Sequence, residues 1–283
     1  MREFPDFLQI EIGIYVDRFV KWLMKNFGEV FDAISRGILW FLLRVEELML
    51  FLPWWIIILI VFLIAWKIKN VRSALIYSFL IFLIGSFGLW ESMVLTLAIV
   101  LTSVVISLLI GIPIGIIMAY SDKFNFIMRP ILDAMQTMPS FVYLIPALML
   151  FGMGKVPAVF ATMIYAIPPV IRLTDLGIRN VSKEMVEAAH SFGSSRWQTL
   201  TKIQLPQALP TIMTGINQTT MMALAMVVIA SMIGARGLGL DVLRAIQHID
   251  IAKGFEAGIS IVFLAIIIDR LSQSIAGRFK YPE

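Results

Sequence analysis

The chain has 283 residues, of which 59% are hydrophobic and 15% are charged, and several apolar runs are long enough to cross a bilayer. These values place it among polytopic membrane proteins, with little sequence left for a soluble domain. The absence of cysteine excludes a disulfide framework, thiolate catalysis and zinc–thiolate sites. A formal charge of +4 requires no nucleic-acid partner, because an excess of Lys and Arg in a membrane protein usually reflects its topology.

Residues 1–50 are predicted to form an amphipathic, interfacial region rather than a signal peptide, since charges are interleaved throughout. Apolar residues recur there at helical spacing: Ile12, Val16, Phe19, Leu23 and Phe27 before Gly28, and Ile34, Ile38, Phe41, Leu42 and Val45 after it. One or two helices at the membrane surface, anchored by Trp22 and Trp40, fit this pattern. Packing against the protein's own helices, or against those of a second copy, fits it equally well.

Seven membrane spans are predicted from the apolar runs that follow. They lie near residues 49–66, 74–90, 93–119, 138–152, 156–171, 212–234 and 255–269. Residues 51–90 would hold two accessory transmembrane helices, and residues 91–283 the core domain. In the long third span we expect Gly111 and Gly115 to permit a bend and the close approach of a neighbouring helix.

The segment 180–207 is a polar island in this apolar chain and predicts a compact helix–turn–helix. Ser182 is suited to cap a short first helix, and Gly193 to end it in a left-handed conformation. Ser195–Gln198 has the pattern of a capping box and predicts the start of a second helix. We expect that second helix to stop near Leu205–Pro206, because proline disrupts a helix interior.

Neutral polar, sulfur-bearing and aromatic side chains cluster at the start of two predicted spans. They are Gln136, Met138, Phe141 and Tyr143 around the start of the fourth span, and Asn217, Gln218, Met221 and Met222 near the start of the sixth. Amides are costly against lipid, so they should bond other helices or line a watery path. Interhelical hydrogen bonding is the simpler explanation. The alternative is a translocation path, whose surface would suit a fully methylated cation that attracts aromatic faces.

The sequence contains no recognisable catalytic or nucleotide-binding constellation. The two histidines, His190 and His248, are far apart and have no metal-ligand pattern around them. The run 151–155 departs from a phosphate-binding loop at both ends, and the glycine-rich run 234–239 follows a predicted span rather than a strand, which favours a tight turn. We therefore expect a chain that is not an enzyme and holds no cofactor or metal, so that energy must come from a partner.

The spacing of the polar island resembles the signature loop of ABC-importer permease subunits. Glu187, Ala188 and Ala189 are followed after three residues by Gly193, and after nine more by Ile-x-Leu-Pro at 203–206. In that family the loop is cytoplasmic and its first helix docks into a groove of the ATP-hydrolysing subunit. The resemblance implies that these four residues couple the chain to a separate ATPase, which would bind ATP and Mg. A surface helical hairpin without such a role is the alternative.

Four further segments, 135–146, 166–172, 215–218 and 226–239, resemble the permease of glycine betaine/proline betaine ABC importers. Arg236 stands where this group often has proline. The resemblance implies an all-α type I ABC-importer transmembrane domain that serves osmoprotection by taking up quaternary ammonium compounds. It also implies a second copy of the permease, two ATPase subunits and an extracytoplasmic solute-binding protein, which we expect to be separate because the chain ends soon after the last span.

Other functions remain open at this stage. An ABC importer for choline, carnitine or an amino acid would carry the same spans. An ion-coupled secondary transporter is weakened because the third to sixth spans lack ionisable groups, with Arg172 and Asp175 just beyond the fifth. A polytopic membrane enzyme is opposed by the missing catalytic residues.

The distribution of positive charge agrees with a signature loop and a C-terminus on the cytoplasmic side of a prokaryotic cell membrane. Inside segments would then be 67–73, 120–137, 172–211 and 270–283, and outside segments 91–92, 153–155 and 235–254. The inside segments hold thirteen Lys and Arg residues and the outside segments four, as the positive-inside rule requires. The amphipathic N-terminal region would lie outside.

Overall fold

The structure, a computed structural model, describes residues 12–277, which are almost entirely helical. Residues 1–11 of the predicted N-terminal region and residues 278–283 of the predicted core domain lie outside the described residues. The helices are α1 (Ile12–Phe51), α2 (Trp54–Ile68), α3 (Val71–Ser86), α4 (Trp90–Tyr120), α5 (Asp122–Thr137), α6 (Leu144–Phe151), α7 (Lys155–Ala166), α8 (Pro168–Arg179), α9 (Lys183–Ser191), α10 (Arg196–Thr199), α11 (Leu205–Ala225), α12 (Val227–Ser231), α13 (Leu238–His248) and α14 (Ile251–Gly277). A 3₁₀ turn covers Ser140–Tyr143, and a π turn covers Leu200–Gln204.

The N-terminal helix α1 has two parts with different surroundings. Its backbone is kinked at Phe27 (φ −123°, ψ 17°), next to the glycine where the sequence pattern changes. Before the kink the side chains are largely exposed, Trp22 among them, whereas Leu42 is fully buried and Val45 packs beside it against the core. Packing on the protein's own helices is therefore confirmed for the second part of α1 only.

Three helical stretches of the described chain are long and apolar enough to cross a membrane: Trp90–Tyr120, Lys155–Arg179 and Ile251–Gly277. Two bent pairs raise the number to five if each is one span. Gly13–Phe51 meets Trp54–Ile68 at 100°, and Asp122–Thr137 meets Ser140–Phe151 at 108°. The α3 helix is apolar but has only 16 residues. The predicted total of seven spans therefore stays a prediction.

The core of the fold is a three-helix contact in which α8 packs between α4 and α11. Small residues bring the backbones together. A Cβ on Gly111 would lie 2.5 Å from Val170, and one on Gly115 would lie 2.6 Å from Thr174. This confirms the close approach expected of the third span, and it follows the rule that membrane helices associate through small residues.

Several predicted spans have other bounds in the structure, among them the seventh, where α14 covers Ile251–Gly277 instead of 255–269. The fifth is predicted at 156–171, but the helical stretch runs as α7 to Ala166 and, after a break at Ile167, as α8 to Arg179. Proline is tolerated there because both residues occupy the first turn of α8, where the N–H groups have no helical partner. The sixth was placed at 212–234, but α11 already begins at Leu205.

The glycine-rich run 234–239 forms the predicted turn, between α12 and α13. Gly234 and Gly237 have φ of 100° and 126°. A Cβ on Gly234 would meet the backbone N of Gly154 at 3.1 Å, so this turn packs on the turn that precedes α7. The N–H of Gly154 donates to the carbonyl of Ile233 at 2.9 Å, which ties the two turns together.

Candidate coupling loop and translocation surface

The first helix of the polar island, α9, begins as the sequence predicts. The Ser182 side chain accepts a hydrogen bond from the backbone N–H of Met185 at 3.4 Å, which caps the helix. The same hydroxyl donates to the carboxylate of Glu184 at 2.5 Å. That bond, and a second one from its own backbone N–H, hold the pKa of Glu184 below its usual value. A charged carboxylate at this position also favours the positive end of the helix dipole.

The end of α9 is a Schellman turn centred on Gly193. The N–H of Ser194 donates to the carbonyl of Ala189 at 3.0 Å, and the N–H of Gly193 donates to that of His190 at 2.9 Å. Gly193 has φ of 77°, in the left-handed region that favours glycine. The predicted left-handed helix end is therefore confirmed, and with it the sharp turn that separates α9 from α10.

The second helix of the loop starts as predicted but does not stop as predicted. Ser195 and Gln198 form a reciprocal capping box at the start of α10. The expected stop at Leu205–Pro206 is wrong, because α10 passes through the π turn directly into α11. Pro206 directly follows the π turn, where the hydrogen-bond register of the helix changes, so the helical run continues past a residue that has no N–H to donate.

The coupling residues proposed from the sequence do not share one environment. Glu187 and Ala188 are exposed on α9, whereas Ala189 is 5% exposed and packs against the chain itself. Two aromatic side chains of the loop are more exposed than most other exposed large apolar side chains of the described chain. Phe192 is 91% exposed and Trp197 is 72% exposed. Exposed aromatic side chains next to a helix face made of small residues, as on α9, are typical of a protein contact surface. The sequence reading missed both aromatics, although their position in a polar loop was a visible signal.

A cavity of about 240 Å³ lies between residues 180–207, the candidate coupling loop, and the ends of α4 and α8. It is lined by Lys183, Val186 and Glu187 of the loop and by Tyr120, Arg179 and Gln204 among others. The Tyr120 hydroxyl donates to the side-chain oxygen of Gln204, which connects the end of α4 to the π turn. The loop therefore contacts the ends of α4 and α8 and is more than a linker.

Of the eight residues proposed for a translocation path, the structure brings Gln136 and Gln218 to one place. Both line a cavity of about 520 Å³ between α4, α5, α8 and α11. Arg129, Asp133 and Arg172 line it too, and the Arg172 guanidinium donates to the Asp133 carboxylate. This cavity is polar and charged, where the sequence suggested neutral amides with methionine and aromatic side chains.

The other six candidates lie elsewhere. Asn217 donates to Asp269 of α14 at 2.8 Å, the interhelical bond that the simpler explanation predicts. Met221 and Met222 pack in an apolar cluster around Ala223 and Leu224. Tyr143 is 5% exposed, and its hydroxyl donates to the backbone carbonyl of Met135. Met138 and Phe141 are exposed, at 38% and 54%.

Ionisable residues placed beyond the fifth span belong to the spanning helix instead. Asp175 is buried at 5% exposure, and its carboxylate accepts hydrogen bonds from Asn125 at 2.8 Å and from Arg179 at 2.7 Å. Hydropathy ended the predicted span at Arg172, because charged residues raise the cost of burial in a membrane. Pairing with Arg179, one turn later on the same helix, and a hydrogen bond from Asn125 of α5 offset that cost, and a hydropathy window detects neither contact.

Comparison with known proteins agrees with these features. Residues 111–281 match the family model described as binding-protein-dependent transport system inner membrane component. The chain is 46% identical to the glycine betaine/proline betaine transport system permease protein ProW of Escherichia coli, over 94% of this chain and 75% of that protein. It is 45% identical to the glycine betaine transport system permease protein OpuAB of Bacillus subtilis, over 94% and 95% of the two chains.

The glycine betaine/carnitine transport permease protein GbuB of Listeria monocytogenes is 47% identical, over 98% of this chain and 99% of that protein. Among solved structures, an inward-facing conformation of the MetNI methionine ABC transporter superposes with a TM-score of 0.61 at 19% identity. That match covers 66% of this chain and 94% of the other. At this identity the superposition shows the fold alone, which is that of a type I ABC-importer permease.

Proposed function

The chain belongs to the family of inner membrane components of binding-protein-dependent transport systems, and from this we propose that it is the permease of an ATP-driven importer for glycine betaine and related quaternary ammonium compounds. The assignment of the substrate class rests on one observation. The chain is 45–47% identical, over at least 94% of its length, to three permeases named for glycine betaine transport. Uptake of such compatible solutes would serve osmoprotection.

The proposed complex has this permease in two copies, two ATPase subunits that bind ATP and Mg, and a solute-binding protein on the outer face. The cavity that Gln136 and Gln218 line is the part of the translocation path that we assign to this chain. The exposed face of α9, with Glu187 and Ala188 next to Phe192 and Trp197, is the surface we propose for the ATPase. Ala189 would pack α9 against the rest of the chain and would not touch the ATPase, because its side chain is already buried.

We also propose a division of the chain that follows the predicted domains. Residues 1–50 would form an N-terminal region at the outer membrane surface whose part after Phe27 packs on the core, residues 51–90 would add two accessory helices, and residues 91–283 would form the core permease. In support, α2 and α3 pack mainly on one another and expose apolar side chains such as Trp55 and Leu59, which suit contact with lipid.

Uptake by the reconstituted complex tests the substrate. The permease, its ATPase and its binding protein are placed in liposomes and supplied with labelled glycine betaine, carnitine, choline and proline. We expect ATP-dependent accumulation of glycine betaine above the others. Accumulation without ATPase or without ATP contradicts the proposal, and a preference for proline assigns the importer to another solute class.

Labelling of single cysteines tests the orientation of the loop. The native chain has no cysteine, so each introduced thiol reports alone. Ser191→Cys lies on exposed α9, and Ile249→Cys lies at the α13–α14 turn, where Ile249 is 84% exposed. A membrane-impermeant maleimide added to whole spheroplasts should label Ile249→Cys and spare Ser191→Cys. The reverse pattern places the loop outside and removes the ATPase contact.

A further inference from the structure

Arg179, the last residue of α8, joins three helix ends through its guanidinium. Its Nε donates to the Oδ1 atom of Asp175 at 2.7 Å, and its Nη1 donates to Oδ1 of Asp122 at 2.7 Å. Its Nη2 donates to the backbone carbonyl of Met118 at 2.6 Å. Asp122 begins α5 and Met118 lies in the last turn of α4, so one side chain connects the ends of α4, α5 and α8.

The buried part of this network is the link from α8 to α5. The Asp175 side chain is 7% exposed, and its second oxygen accepts from Nδ2 of Asn125 at 2.8 Å. Asn125 is itself 5% exposed. Burying a carboxylate costs free energy unless it is paired and hydrogen-bonded, and because both oxygens of Asp175 have partners, the positions of Asn125 and Arg179 relative to it are constrained. The bond to Asp122 is different, because that side chain is 90% exposed.

The network lies between the coupling loop and the candidate path. On one side, Arg179 lines the cavity of about 240 Å³ together with Lys183 and Glu187 of the loop. On the other side, Asp175 lines the cavity of about 520 Å³ together with Gln136, which is in the last turn of α5. Because α5 runs as one helix from Asp122 to Thr137, with Pro130 in its interior, we expect a movement of its first turn to carry to Gln136.

We propose that Asp175, Asn125 and Arg179 form a rigid joint that transmits displacement of the coupling loop to α5, and thereby opens and closes the path at Gln136. These are positioning residues, because their hydrogen bonds hold the ends of α4, α5 and α8 and none of the three is among the residues proposed to touch the ATPase or the solute. The inference rests on the proposed function, because it needs an ATPase that moves the loop. It extends that function by naming the element that carries the movement into the membrane domain.

The test follows the accessibility of one thiol at the far end of α5. Gln136→Cys is introduced into the cysteine-free chain, and the assembled complex is labelled with a maleimide without nucleotide and after trapping with ATP and vanadate. The ratio of the two labelling rates should differ from one. In an added Asp175→Asn background we expect this ratio to fall to near one while ATP hydrolysis continues, and solute uptake per ATP should drop by about fivefold or more.

A matched control uses the same guanidinium. Asp122→Asn removes the exposed partner of Arg179 and should leave the labelling ratio unchanged, because exposed ion pairs contribute little. Arg179→Lys keeps the charge and loses the fork of donors, so an intermediate ratio is expected from a complex that still assembles. Co-purification of the ATPase reports assembly in each case.

The outcomes separate this inference from the proposed function. An unchanged labelling ratio in Asp175→Asn, or no dependence on nucleotide in the unaltered chain, overturns the rigid joint. If assembled Asp175→Asn loses both ATP hydrolysis and the nucleotide-dependent difference in labelling, the rigid joint is also overturned. The joint should transmit the movement that the ATPase produces and should not be needed for hydrolysis itself. Failure of the unaltered complex to accumulate glycine betaine counts against the proposed function and leaves the labelling result to stand alone.

Discussion

Lys155 donates a hydrogen bond to the carboxylate of Glu46, which lies 109 residues earlier in the chain. The Glu46 side chain is 6% exposed and that of Lys155 is 27% exposed, so the pair is largely removed from solvent. It fastens the second part of α1 to the start of α7, beside the turns that contain Gly154 and Gly234. The N-terminal helix is thereby part of the membrane domain and is more than a surface anchor.

Removing one member of this pair should destabilise the chain strongly. Lys155→Met leaves the Glu46 carboxylate buried and unpaired, at a cost of about 3–5 kcal/mol. The double variant Glu46→Met with Lys155→Met removes both charges and should recover most of that loss. Thermal unfolding in detergent measures both. Arg44→Met, which removes an exposed i, i+3 pair with Glu47, is the control and should change stability by less than about 1 kcal/mol. Equal effects of Arg44→Met and Lys155→Met contradict the assignment of a buried pair.

Close packing of α4 on α8 gives a second prediction. Gly115→Ala places a Cβ 2.6 Å from Thr174 and 2.7 Å from the backbone oxygen of Ile171, and a backbone atom cannot move aside without shifting the helix. We expect a loss of roughly 1–3 kcal/mol, the usual cost of overpacking, seen as a lower unfolding temperature. Gly258→Ala in α14 has no atom within 4 Å of the new Cβ and should be neutral or slightly stabilising. A stable Gly115→Ala variant would argue that the α4–α8 contact is looser than described.

Local signals in the sequence were enough to predict the coupling loop. The Ser182 cap, the left-handed Gly193 and the Ser195–Gln198 box each depend on residues within a few positions of one another. The stop at Pro206 failed for the same reason. A proline ends a helix when the hydrogen-bond ladder cannot accommodate its missing N–H, and here the π turn directly before Pro206 shifts the register of the ladder at that point.

The polar contacts between helices could not be predicted locally. Asp175 is paired with Arg179 one turn later on the same helix, and its second oxygen accepts a hydrogen bond from Asn125, fifty residues earlier. A hydropathy window counts Asp175 and Arg179 as two charges and detects neither their pairing nor the contact with Asn125, so it ends the span too early. The candidate path shows the same limit, since Gln136 and Gln218 share a cavity while the adjacent Asn217 turns to Asp269 on another helix.

Backbone strain at the α13–α14 turn gives a third prediction. Ile249 has φ of 56°, a left-handed conformation that is unfavourable for a β-branched residue, and its side chain is 84% exposed. Ile249→Asn should relieve the strain and stabilise the chain by about 1 kcal/mol, or about 2–4 °C in the unfolding temperature. Ile251→Asn makes the same change at 83% exposure without positive φ, and it should have little effect. If both variants are stabilised to the same extent, the gain comes from the loss of exposed apolar surface, and the prediction of relieved backbone strain is wrong.

The left-handed turn at Gly193 gives the prediction that bears most directly on coupling. A Cβ at Gly193 meets nothing within 4 Å, so any effect of substitution comes from the φ of 77° and not from a clash. Gly193→Val should disfavour the native turn by about 1–2 kcal/mol and misalign α9 with α10. We expect ATP-driven uptake to fall roughly tenfold while membrane insertion is unchanged, with Gly193→Asn in between because asparagine tolerates this conformation.

The control for that experiment is a second glycine with the same backbone. Gly88, in the turn before α4, has φ of 75° and also has open space around its Cβ position. Gly88→Val should lower stability to a similar degree, and uptake per folded complex should stay near that of the unaltered chain, because this turn precedes the start of the 31-residue helix α4, whereas the loop lies beside the other end of α4 at Tyr120. If Gly193→Val transports as well as Gly88→Val, the turn after α9 does not carry the coupling. The exposed face of α9 would then be an ordinary surface.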